Sequence, residues 1–115
     1  MGGSSLAADV FNRVFGSAPG FPALHVLDTT DPALIEQTIR KLDLKRTLFL
    51  VSSKSGTTLE VVSLFNYFFN LTRDKLGEEA PEHFIFITDE GSPMLKQALD
   101  LQARYVFINN PNIGG

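Results

Sequence analysis

The sequence contains no cysteine, which excludes a disulfide framework and any thiolate metal site. No apolar run reaches transmembrane length, and the start of the chain has neither the basic nor the apolar region of a signal peptide. Basic excess is missing too: 10 Lys and Arg against 13 Asp and Glu give a net charge of −3, whereas a nucleic-acid binder shows a basic face. The nearest basic clusters, Arg40-Lys41 and Lys45-Arg46, read as the solvated end of a helix and a turn. There are no internal repeats and no low-complexity stretches. These absences leave a cytoplasmic globular protein with no nucleic-acid and no membrane partner. Its 115 residues, 43% of them hydrophobic, allow one domain with a sizeable core.

Apolar spacing organises the chain. Leu6, Val10, Val14 and Ala7, Phe11, Phe15 recur at helical intervals behind Ser4 or Ser5, either of which can cap. Gly16 to Pro22 breaks that helix. Ala23–Leu27 is a short apolar run and reads as a strand. Asp28 to Pro32 then supplies a cap and a first-turn proline for a helix bearing Leu34, Ile35, Ile39 and Leu42. Thr47–Val51 is a second strand, Glu60 to Leu76 a long helix stopped by Gly77, and His83–Thr88 a third strand. Asp89 to Pro93 opens a helix ending near Gln102, and Tyr105–Ile108 is the last strand. The order α-β-α-β-α-β-α-β, with strands apolar throughout, predicts a parallel sheet with helices on both sides.

The most informative segment is Ser52-Ser53-Lys54-Ser55-Gly56-Thr57-Thr58-Leu59, between the second strand and the long helix. Backbone N–H groups at a helix start lack partners, and the helix dipole favours negative charge there. Four hydroxyls (Ser53, Ser55, Thr57 and Thr58), a lysine and a glycine at such a turn suit a phosphate. Each hydrogen bond to a charged group contributes roughly 1.5–3 kcal/mol, and the dipole adds about 0.3–1. Lys54-Ser55 does not make a nucleotide P-loop, because the glycine follows the lysine instead of preceding it.

Blander readings compete at several positions. Thr57-x-x-Glu60 fits a capping box, so Glu60 can simply tie off the helix. The same explanation is weaker for the whole turn, since capping needs one hydroxyl. His25 lies inside a strand and His83 at the start of one, away from the strand carboxyl ends where ligands bind in open parallel sheets. Asp28, Asp89 and Asn109 lie at those carboxyl ends, but each is also an ordinary cap or turn residue. Phe65, Tyr67, Phe68 and Phe69 read as core packing of the long helix. Asn70-Leu71-Thr72 matches the glycosylation tripeptide but falls inside a helical pattern.

Three segments carry a resemblance: Gly2-Gly3-Ser4, Ser53-Lys54-Ser55-Gly56-Thr57-Thr58 with Glu60, and Asn110-Pro111-Asn112-Ile113-Gly114-Gly115. In order and spacing they make the chain similar to the first sugar-isomerase (SIS) domain of the glucose-6-phosphate isomerase family, in its bacterial branch. Lysine directly after the serine, paired threonines and the closing Gly-Gly narrow the match within the wider superfamily. That superfamily also holds non-catalytic sugar-phosphate-binding modules of regulators and aminosugar enzymes, the alternative reading. The turn opening the chain lacks its strand and the last loop closes on Gly-Gly, so residues 1–115 are expected to be a partial SIS domain cut at both ends.

The resemblance implies a three-layer α/β/α flavodoxin-like sheet in strand order 2-1-3-4-5, with the first, central strand missing here. It implies that Ser53, Ser55 and Thr58 grip the sugar phosphate, that Lys54, Gly56 and Thr57 complete the loop, and that Gly3 and Ser4 lie against the sugar. Gly56, where many animal-type members have an aromatic residue, is expected to widen the turn. Family members interconvert glucose 6-phosphate and fructose 6-phosphate through an enediol, without a cofactor or metal, commonly as homodimers. Their glutamate base and arginine lie beyond the Gly-Gly pair, so no catalytic residue is assigned here. The chain alone is expected to have low stability or to associate, and to show no isomerase turnover.

Overall fold

A computed structural model describes residues 5–112 of the chain. The residues divide into two units, 1–41 and 42–115, each with its own contacts.

In the first unit, helix α1 spans Leu6–Phe15 and helix α2 spans Pro32–Ile39. Ser5 occupies the N-cap position of α1, as one of the two expected caps, yet its hydroxyl does not cap; it donates to Asp28 Oδ2 at 2.6 Å. An i,i+4 pair between Asp9 and Arg13 (3.0 Å) braces the helix, and Gly16, at φ +60°, closes it with its N–H on Asn12 O. Asp31 caps α2 by accepting from Ala33 N at 3.0 Å, with Pro32 in the first turn as its missing N–H allows. Ala23–Leu27 forms no strand, contrary to the sequence expectation. A strand is held by ladder bonds to a neighbour, and this segment has none among the described residues; the Leu24 carbonyl accepts instead from the Asn12 side chain at 3.1 Å.

The second unit keeps the expected alternation of strands and helices, but its two helices lie on one face of the sheet instead of on both sides. Strands β1 (Phe49–Ser52), β2 (Phe84–Thr88) and β3 (Tyr105–Ile108) form a parallel sheet in that order, with Phe49 opposite Phe84 and Ile85 opposite Tyr105. Helix α3 (Leu59–Leu76) links β1 to β2, and α4 (Pro93–Asp100) links β2 to β3. Both crossovers step in one direction, and right-handed crossovers of that kind place both helices on one face. Phe84, Phe86 and Thr88 point to that face and are buried, with Phe86 fully so. Phe65 and Phe69 of α3 meet them edge-on, at ring distances of 5.1 to 5.6 Å. The opposite face carries Leu50, Tyr105 and Phe107, all more than half exposed.

Gly77 at φ +62° ends α3, and the following residues to His83 wind as 3-10 turns instead of an open loop. Thr72 is fully buried and its hydroxyl donates to Phe68 O at 2.7 Å, so the Asn70-Leu71-Thr72 tripeptide is not presented for modification in the folded chain. Arg40, Lys41, Lys45 and Arg46 are exposed, as the solvated-end reading expects. No helix among the described residues is long and apolar enough to cross a membrane.

Deleting the Phe86 ring leaves a cavity under α3. Phe86→Ala is expected to cost about 3–5 kcal/mol of unfolding free energy, whereas Leu50→Ala, on the open face, is expected to cost less than about 1 kcal/mol. Urea titrations followed by far-UV circular dichroism measure both, and similar losses for the two would refute this account of the core.

Candidate functional site

The turn from β1 into α3 is built by its own hydroxyls. Ser53 extends the ladder one residue past β1 by donating its N–H to Ile87 O at 3.0 Å. Its side chain is buried: Oγ accepts from Gly56 N at 3.1 Å and donates to Thr58 Oγ1 at 3.4 Å. Ser55 Oγ accepts from both Thr57 N (3.2 Å) and Thr57 Oγ1 (3.0 Å), tightening the next step of the turn. Ser55, Thr57 and Thr58 are exposed.

Gly56 has φ +68°, a conformation that side chains disfavour. A Cβ there would lie 2.8 Å from Met94 Cβ and 3.0 Å from Met94 N. Glycine therefore lets the turn press against the start of α4; close approach, not a wider turn, is its role. Its amide is spent inside the turn, on Ser53 Oγ.

Thr58, one residue later than the capping-box reading requires, is the N-cap of α3, and no side chain caps that end. The Thr57–Glu60 box is thus not formed. The first amides of α3 open at the carboxyl end of β1, beside three exposed hydroxyls. Such an end can hold an anion, through its unpaired amides and its dipole.

Lys54 does not reach out from the loop. Its Nζ lies 2.6 Å from Asp89 Oδ2, just after β2, while Asn109 Nδ2, just after β3, donates to Asp89 Oδ1 at 3.1 Å. The Lys54 carbonyl accepts from Asp89 N at 3.2 Å and from the Thr88 hydroxyl at 3.4 Å. Thr88 and Ser92 share a hydroxyl bond of 2.8 Å, and Ser92 caps α4 through Leu95 N. Asp89 and Asn109 thus act together here. Sequence reasoning noted both at strand ends but could not pair them with a lysine 35 residues away.

The hydrogen bond from Lys54, and then that from Asn109, hold the Asp89 carboxyl below its ordinary 3.8, against the opposite pull of burial. His83 lies at the other end of the sheet, its Nδ1 at 2.8 Å from Thr47 O, as its place at a strand start predicts. His25 is exposed in the first unit and lies outside any strand. Gly3 and Ser4, the sugar-facing expectations, lie outside the described residues, as do Gly114 and Gly115. Among the described residues no group of three or more acidic or histidine side chains is arranged to hold a metal ion.

Comparison with known proteins gives this geometry a setting. A family model described as phosphoglucose isomerase matches residues 1–115. The chain is 35% identical along its whole length to glucose-6-phosphate isomerase of Campylobacter jejuni, and 36% identical to that of Chlamydia trachomatis serovar L2. It spans 28% and 21% of those two relatives, respectively. A crystal structure of a glucose-6-phosphate isomerase from Chlamydia trachomatis superposes with a TM-score of 0.77 at 32% identity, covering 93% of this chain and 20% of that one. A hypothetical protein from Thermus thermophilus superposes at 0.74 and 30% identity, over 78% of this chain and 22% of that one.

Two expectations follow from the loop. Gly56→Ala is expected to cost about 1–3 kcal/mol through its positive φ and the Met94 clash, read by urea titration; a neutral effect would show that the turn does not press on α4. A depressed carboxylate contributes stability that is whole above its unfolded value and is lost as pH falls through the lower, folded one. Asp89 should therefore titrate below 3.8 by 13C carboxyl NMR and move back toward 3.8 in Asn109→Ala. A midpoint at or above 3.8 would mean that the bridge does not form in solution.

Proposed function

The chain belongs to the phosphoglucose isomerase family, and from that premise we propose that it supplies the phosphate clamp, its Ser53–Thr58 turn, to an enzyme that interconverts D-glucose 6-phosphate and D-fructose 6-phosphate. The observation that carries the proposal is the start of α3, which has no side-chain cap and faces exposed Ser55, Thr57 and Thr58. Exposed hydroxyls and free amides meet the phosphate oxygens directly; buried Ser53 sets Gly56 N and the Thr58 hydroxyl from beneath. Lys54 and Gly56 complete the loop by fixing its shape.

The reaction moves a proton between C1 and C2 through an enediol, and the phosphate is remote from both carbons. Binding energy at such a remote group positions the reacting carbons for an acid–base pair. The role proposed for this chain is to clamp, and it assigns none of these residues to proton transfer. Cytoplasmic location and a homodimeric assembly belong to the same proposal, as does action without cofactor. The alternative of a non-catalytic regulator module is not favoured, because the family model matching the whole chain is the isomerase's.

The test is Ser53→Ala, Ser55→Ala and Thr58→Ala combined in the active protein. Losing the charge-assisted contacts of Ser55 and Thr58, roughly 1.5–3 kcal/mol each, should raise KM for fructose 6-phosphate at least about 100-fold. An unchanged KM, with circular dichroism reporting an intact fold, would remove the loop from the reading. The chain by itself is expected to bind fructose 6-phosphate weakly and to show no turnover in a coupled assay.

A further inference from the structure

The carboxyl ends of three neighbouring strands converge on a single carboxylate. Lys54 follows β1, Asp89 follows β2 and Asn109 follows β3. Both Asp89 oxygens are engaged, one by Lys54 Nζ at 2.6 Å and the other by Asn109 Nδ2 at 3.1 Å. The backbone repeats the link, because Asp89 N donates to the Lys54 carbonyl and Asn109 N donates to Thr88 O at 2.9 Å. Lys54 is thus held at its main chain and at its ammonium group by the same neighbour.

A lysine in a phosphate loop invites the reading that its charge meets the phosphate. This geometry argues otherwise. An ammonium at 2.6 Å from a carboxylate has its charge offset, and an Asp89 left bare beside the loop would repel a dianion. We propose that Asp89, braced by Asn109, is a positioning residue that keeps Lys54 as an internally neutralised strut, so that neutral hydroxyl and amide donors do the phosphate binding. The proposal rests on the phosphate reading of the Ser53–Thr58 turn and specifies its electrostatics. It makes a distinctive claim about sign: the pair matters through its net charge of zero, and either partner alone disturbs the site in opposite directions.

The test is a double-substitution cycle, with inorganic phosphate and fructose 6-phosphate titrated by calorimetry at about 10 mM and about 150 mM ionic strength, where the screening length falls from roughly 30 to 8 Å. Asp89→Asn frees the Lys54 charge and should tighten phosphate binding about three- to tenfold at low salt, with the gain mostly erased at high salt. Lys54→Met exposes the Asp89 charge and should weaken binding by a similar factor. Adding Asp89→Asn to Lys54→Met should then restore binding above that of Lys54→Met alone. Asp89→Glu, which can rebuild the pair, should return the salt dependence toward that of the unsubstituted chain. If Lys54→Met and the double variant are equally weak, the lysine touches the phosphate and the strut proposal falls. If Asp89→Asn weakens binding at both salt concentrations, Asp89 serves the fold alone and the proposal falls likewise. A failure of the unsubstituted chain to bind either ligand would instead overturn the phosphate reading, and this inference with it.

Discussion

The long helix α3 delivers its N-terminus to the sheet's carboxyl end because β2 holds it by two phenylalanines. Phe84 and Phe86 are almost wholly buried on the central strand, and Phe65 and Phe69 of α3 pack edge-on against them. Phe49 of β1 stacks on Phe84 at 4.8 Å and leans on Phe68 at 5.2 Å. Aromatic pairs in these orientations add about 0.5–1.5 kcal/mol each beyond the area they bury. Their larger consequence is geometric. With the helix axis set against β1 and β2, the turn between β1 and α3 has to close the remaining gap, and its length and composition follow from that gap.

Closure imposes two demands on the turn that pull against each other. It must pass close to the start of α4, which selects glycine at position 56, and it must not collapse onto the first amides of α3. Ser53 and Ser55 reconcile them by taking the Gly56 and Thr57 amides for themselves, a turn stabilised from within. The helix start is left without a side-chain cap. An uncapped end costs stability of about 1 kcal/mol relative to a good cap, and natural helices accept such a cost where a ligand supplies the missing partner.

How much of this was legible in the sequence differs from one residue to the next. The hydroxyl-rich turn was readable because composition and position agreed: four hydroxyls and a glycine between an apolar strand and an amphipathic helix. The parallel sheet was readable from the apolar runs now seen as β1, β2 and β3. Ala23–Leu27 misled because its apolar pattern is real while no ladder holds it among the described residues, and local propensity does not report whether a neighbour pairs. The capping box misled by one residue, since the turn that places Thr58 at the N-cap is set by Gly56 against Met94, a contact between segments far apart in sequence. The Lys54–Asp89–Asn109 cluster was invisible for the same reason: only the strand order β1-β2-β3 brings its members together.

That cluster also shows why ion pairs in such a loop should not be weighed as stability alone. Lys54 and Asp89 are partly exposed, and exposed pairs stabilise folds little. What distinguishes this pair is that each partner also carries a backbone link to the other, so the side-chain bridge repeats a connection already made. A redundant link adds little to whether the loop folds and more to where its atoms lie. A site built from neutral donors depends on placement more than on charge, because each hydroxyl and amide acts only at hydrogen-bond distance, whereas a free ammonium attracts an anion from well beyond it. On the proposed reading, neutralising the lysine converts the turn from one that would collect anions in general into one that would select by shape. If the loop holds one hexose ester, as proposed, that exchange favours its ligand over the many other phosphates of a cell.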